Sequence, residues 1–188
     1  MTDETERDQK TKASLPTPDS GVGAVPKDAF MTVPADPRVQ TPDAARTRLS
    51  WDGSGVSAKE HIDYECEAAH LDVRSDTGAL VGRMFSLSYV SLAEGNRPDP
   101  ARPVTFAYNG GPINFGGIGP RRVRTDGTSH LAFPVEVEDN PSTLLRQSDL
   151  VFLDALGTGW SSVAEGADTS KVFGVDGDAD AFARAITT

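Results

Sequence analysis

Asn109-Gly110-Gly111-Pro112 is the stretch whose residue types and spacing could do chemistry. The residues before it, Val104 to Tyr108, read as a buried strand that runs straight into a tight glycine turn. Strand followed by glycine turn is how an α/β sheet presents backbone N–H groups at the carboxyl edge of its strands, where such sheets bind ligands. Glycine there supplies positive φ and lets another group approach the backbone closely; taken alone, the same residues also make a plain turn. A second strand of the same kind, Asp149-Leu-Val-Phe-Leu-Asp154, ends in Gly157-Thr-Gly-Trp-Ser161. Function is expected where these two turns meet.

Other chemistries fail on particular residues. Asp176, Asp178 and Asp180 open with the spacing of a calcium loop, but Ala181 and Thr187 stand where the loop needs Gly and Glu. Gly111-Pro-Ile-Asn-Phe-Gly116 has the glycine spacing of a phosphate loop, yet Gly117-Ile118 replace the Lys-Ser/Thr that would hold the phosphate and its magnesium. A dinucleotide fingerprint beginning at Gly117-Ile-Gly119 would place its last glycine at Arg122. No G-x-S-x-G nucleophile elbow occurs, and Gly159-Trp-Ser-Ser-Val163 misses it at the final glycine. His61, His70 and His130 are scattered, with no acid or second ligand at useful spacing. Cys66 lies beside Glu65 and Glu67, carboxylates that disfavour a thiolate. No cofactor and no metal is expected.

The elements that must position the turn are strands. Tyr64 to Arg74 and Ala79 to Leu92, joined by Ser75-Asp-Thr-Gly78, predict a long antiparallel hairpin. Ala93 to Ala101 reads as loop, and Val104 to Tyr108 as the start of the inner, parallel part of the sheet. Leu150 to Leu153 is a run of apolar residues that calls for cover on both faces and for a parallel neighbour following it in the chain. Asp139-Asn-Pro-Ser142 marks a turn, with a short helical turn through Leu145. Ala181 to Ile186 predicts a helix whose acidic first turn suits the helix dipole.

Composition bounds the rest. The 188 residues have a formal net charge of -10, which argues against nucleic acid or an anionic membrane as partner. No apolar run approaches the roughly 20 residues of a membrane span. The acidic N-terminus has no apolar signal core and the chain has a single cysteine, so a cytoplasmic location is expected. Residues 1–45 hold six of the 13 prolines and no apolar periodicity, the composition of a disordered acidic tail.

Phe106-Ala-Tyr-Asn-Gly-Gly-Pro112, Gly119-Pro-Arg-Arg-Val123, Asp139-Asn-Pro-Ser142, Asp149-Leu-Val-Phe-Leu-Asp154 and Gly157-Thr-Gly-Trp-Ser161 occur in one order. That set resembles the serine carboxypeptidase family, in particular its bacterial, disulfide-poor members. The resemblance implies an incomplete α/β-hydrolase fold over residues 46–188: a mixed sheet, an N-terminal antiparallel hairpin leading into parallel strands, and an end before the nucleophile elbow. It implies that the Gly111 N–H is an oxyanion-hole donor, and that Asn109, helped by the Gly110 backbone, binds the C-terminal carboxylate of a peptide substrate. Ile113-Asn114 depart from the family's continuation of that turn, and its Ser, Asp and His triad finds no counterpart here. The resemblance therefore implies a serine-type carboxypeptidase fold without activity of its own. Two alternatives stand beside it: a non-catalytic module binding peptide carboxylates, and one half of a split hydrolase joined by a separately encoded C-terminal half.

Overall fold

The structure, a computed structural model, describes residues 32–33, 41–53, 60–108, 117–124 and 136–187. In chain order the strands are β1 (Thr32–Val33), β2 (Ala45–Asp52), β3 (His61–Arg74), β4 (Leu80–Ala93), β5 (Arg97–Pro98), β6 (Val104–Tyr108), β7 (Arg121–Val123), β8 (Val137–Asp139), β9 (Asp149–Leu153) and β10 (Ser162–Ala164). A 3-10 turn spans Leu144–Arg146, and two helices follow β10, α1 (Thr169–Val172) and α2 (Val175–Thr187).

The molecule is a mixed sheet with few helices. Its spine is the antiparallel hairpin of β3 and β4, closed through Ser75–Gly78 with Gly78 at φ 80°. β2 pairs antiparallel with the outer edge of β3. The other edge of β4 is shared among three strands: Gly82–Arg83 pair with β10, Ser86–Tyr89 with β9, and Leu92–Ala93 with β5. β6 then lies parallel to β9 on its far side, giving the order β2-β3-β4-β9-β6 through the middle of the sheet. β7 and β8 form a separate antiparallel ribbon.

Alternation along the strands sends successive side chains to opposite faces, and both faces are covered. Met84, Val73 and Leu153 face one way, packed with Val163, Val172, Ala181 and Ala185, so that α1 and α2 close this side. Tyr64, Leu150 and Phe152 face the other way, where Trp51 and Leu145 close over them. β9 is buried on both faces, as its run of apolar residues predicts. Each large apolar side chain so buried is worth roughly 1.5–3 kcal/mol relative to exposure. Asp176 and Asp178 occupy the first turn of α2, as the dipole favours.

Two expectations change. Val104 to Tyr108 is a strand, parallel as predicted, but it is neither buried nor inner. Val104, Phe106 and Tyr108 are 49%, 37% and 61% exposed, because β6 lies at the end of the sheet among the described residues. Leu150–Leu153 does not wait on a later strand for its parallel neighbour, since β6 has taken that place. The β7–β8 ribbon went unseen because three-residue strands carry too little periodicity to register. Within the stretch read as tail, Thr32–Val33 pair in parallel with β10, and the Thr41 hydroxyl donates to Asp72 over 2.7 Å. Among the described residues no helix is long and apolar enough to cross a membrane.

Candidate functional site

The parallel pair β6–β9 is the platform. Tyr108 is in register with Leu153, so the chain leaves both strands at the same level of the sheet. The start of β6 is moored to the start of β9. Arg102 Nε donates to the mostly buried Asp149 over 2.9 Å, its other arm reaches the Leu145 carbonyl, and the Thr105 and Ser148 hydroxyls meet at 2.7 Å. The end of β6 is held through a ring contact, Tyr108 lying 4.5 Å from Phe182 of α2. Asn109, Gly110 and Gly111, which carry the expected substrate and oxyanion contacts, lie outside the described residues, as do Pro112 and His130. What is described is the strand that delivers them.

Beyond β9 the chain makes a compact loop built on Asp154. That carboxyl is only 4% exposed, and its Oδ2 accepts the Trp160 N–H over 3.1 Å. Burial holds the Asp154 carboxyl above the ordinary carboxylate range, the Trp160 N–H opposing it. Gly157 and Gly159 both take positive φ, 76° and 52°, which is why glycine recurs at this spacing. Ser161 is buried, its Oγ donating to the Asp154 carbonyl and accepting the Phe85 N–H, each at 2.8 Å. The donor and one lone pair of the hydroxyl are thus engaged in joining the loop to β4.

The loop does not lean toward β6. Its hydrogen bonds fall on β4 and β3: Ser161 on Phe85, and the Trp160 carbonyl 3.2 Å from His70 Nε2. Those strands lie on the opposite side of β9 from β6. The expected meeting of the two glycine turns involves Asn109–Gly111, which lie outside the described residues, and the Trp160 backbone is carried away from Tyr108. Its side chain is 65% exposed.

The remaining candidates resolve individually. Cys66 is half-buried, and burial pushes its thiol up; the direction is the expected one, but the cause is desolvation rather than Glu65 and Glu67. Asp176, Asp178 and Asp180 lie on α2, a helix and not a calcium loop. Among the described residues no group of three His, Cys, Asp or Glu could hold a metal ion. The expectation that no histidine pairs with an acid is overturned at His61. Nδ1 lies 2.7 Å from Asp52 and Nε2 lies 3.1 Å from Asp63, and the Asp52 contact is the main cause of a raised imidazole pKa. The signal was available: Asp63 is two residues on along the same strand face, and Asp52 becomes the cross-strand partner once β2 is in register.

No family model matches the chain, and neither a curated protein nor a solved structure matches it.

Proposed function

We propose that this chain carries the oxyanion and carboxylate-binding part of a serine carboxypeptidase-like α/β hydrolase. The observation that supports it is the placement of β6. Counted in chain order from β3, with the two-residue β5 set aside, β4 is the second strand of the central sheet and β6 the third, and α/β hydrolases take one oxyanion donor from the loop after their third strand. The Asn109-Gly110-Gly111 turn follows β6 directly. In this reading the Gly111 N–H faces the developing oxyanion, a contact whose loss costs about 10²–10³ in rate in such enzymes. Asn109 and the Gly110 backbone hold the carboxylate of the peptide's last residue, which makes the reaction an exopeptidase one.

These 188 residues contain no G-x-S-x-G nucleophile elbow for that chemistry. The edge of β6 that no described strand pairs with, uncharged from Val104 to Tyr108, is where the strand bearing the nucleophile would pair. A hydrolase lacking its triad keeps a residual ~10³–10⁴ over water from its oxyanion hole and binding, and the second oxyanion donor belongs to the residue after the nucleophile. The chain by itself therefore binds and does not cleave.

Titration with matched peptides tests this. A peptide with a free C-terminus should bind the purified chain, its amidated counterpart should not, and Asn109→Ala should abolish the difference. Equal binding of the free and amidated peptides by the unaltered chain overturns the reading. So does labelling of any serine of the chain by a fluorophosphonate.

A further inference from the structure

His61 is the first residue of β3, paired across the strands with Asp52, the last residue of β2. Both of its ring nitrogens face carboxylates: Nδ1 is 2.7 Å from Asp52 Oδ1, and Nε2 is 3.1 Å from Asp63 Oδ1. A neutral imidazole has one N–H and one lone pair, so it can donate to only one of two carboxylates. With neutral His61 the other contact would set a lone pair against an anion. The geometry is satisfied in full only by the imidazolium.

The Asp63 carboxylate is itself held, since Ser50 Oγ donates to its Oδ1 over 2.8 Å, whereas at Asp52 it is the backbone N–H that is engaged, donating to Asp139 Oδ2 over 3.1 Å. Among the described residues the remaining charges around the ring are accounted for. Glu60 is engaged by Arg146, and Arg121 pairs with Asp139 at 3.1 Å while also acting on Asp52. Glu94 lies on the wall of the open concavity of about 710 Å³ that His61 and Asp63 help to line. Among the described residues carboxylates thus outnumber free cations around His61, which favours its protonated form.

What lies next to this cluster gives it a consequence. Trp51, immediately before Asp52, is fully buried, and its Nε1 donates to the Asn140 carbonyl over 2.9 Å. Asn140 in turn donates through Nδ2 to the carbonyls of Gly119 and Gly117, at 2.8 and 3.3 Å. The end of β2 therefore anchors the segment that opens with Gly117.

We propose that Asp52, His61 and Asp63 form a proton-operated clip that fastens the end of β2 to β3 when the imidazole is charged and loosens it when the imidazole is neutral. The direction follows from linkage. His61 is raised above its ordinary value in the fold, so its contribution is present in full below about pH 6.5 and is lost as pH rises through the folded pKa. The clip is closed on the acid side and open on the alkaline side.

Nitrogen-detected NMR of the histidine rings in the full chain tests the charge state, and amide exchange tests the clip. Three outcomes are expected. His61 should titrate above about 6.5 with both ring nitrogens protonated below its midpoint. Asp52→Asn and Asp63→Asn should each lower that midpoint. Amides of Trp51 to Gly53, corrected for intrinsic rate, should exchange several-fold faster once pH exceeds it, and His61→Gln should remove that step. The ring titration of the unaltered protein needs no variant to fold. A His61 midpoint at or below 6.5 overturns the proposal, as does an exchange step that persists unchanged in His61→Gln.

Discussion

Gly159 lies flat against the carboxylate of Asp154, with no space between them for a β-carbon. Its φ of 52° adds a second demand, since L side chains pay roughly 1–2 kcal/mol to enter the left-handed region. Overpacking against a fixed group costs a further ~1–3 kcal/mol. Gly159→Ala should therefore lower stability by about 2–5 kcal/mol in urea unfolding. Gly166→Ala is the control: φ is 79°, but nothing lies within 4 Å of the added methyl, so only the backbone cost of ~1–2 kcal/mol is expected. Equal losses in the two variants would mean that contact with Asp154 contributes nothing.

Asp154 itself predicts a pH dependence of unusual sign for a carboxylate. Burial raises its folded pKa above the ordinary 3.8, so the fold binds the proton more tightly than the unfolded chain does. Stability contributed by this group is highest below pH 3.8, falls as pH rises through the folded pKa, and stays low above it. Asp154→Asn keeps an oxygen to accept the Trp160 N–H and removes the charge. The variant should equal or exceed the parent in stability at pH 7, and the advantage should vanish near pH 4. A loss at pH 7 of the size seen for a broken buried ion pair would show that Asp154 has a cationic partner in the folded protein.

How much of this was legible beforehand depends on the distance over which each feature is determined. The β3–β4 hairpin and α2 were readable because their periodicities are local and long, and the burial of β9 because four apolar residues in succession leave no polar face. That β6 would lie at the end of the sheet among the described residues was not readable. Val-Thr-Phe-Ala-Tyr is the composition of an interior strand, and edge position is a property of which strands pair, not of the five residues. The direction taken by the Gly157–Ser161 loop was hidden for the same reason. Its glycines announce a turn, but only the Ser161 and Trp160 contacts to Phe85 and His70 say which way it goes. His61 was misread because one of its two acids arrives through strand register.

The mooring of β6 should be measurable as a buried ion pair. Asp149 accepts from Arg102 and from the Ser91 N–H, with the Asp149 side chain 8% exposed and that of Arg102 21% exposed. Removing one member of a buried pair strands the other, at a cost of about 3–5 kcal/mol. Asp149→Ala should fall near the lower end, because Arg102 retains the Leu145 carbonyl and partial access to water. Glu67→Gln, which breaks the exposed pair with Arg46, should cost no more than about 1 kcal/mol. Amide exchange should localise the first effect to β6 and β9, whereas a uniform rise across the sheet would count against a local mooring.

Trp51 offers the sharpest separation of packing from hydrogen bonding. It is 1% exposed, closes one face of the core over Tyr64 and Leu150, and donates to the Asn140 carbonyl. Trp51→Phe keeps most of the apolar contact but leaves that carbonyl without its indole donor, for a loss of about 1–3 kcal/mol. Trp51→Ala adds the cavity, for about 3–5 kcal/mol in all. Because Asn140 fixes the carbonyls of Gly117 and Gly119, both variants should also speed amide exchange between residues 117 and 124. If Trp51→Phe is isoenergetic with the parent and exchange there is unchanged, the indole N–H does not anchor that segment and Trp51 acts by volume alone.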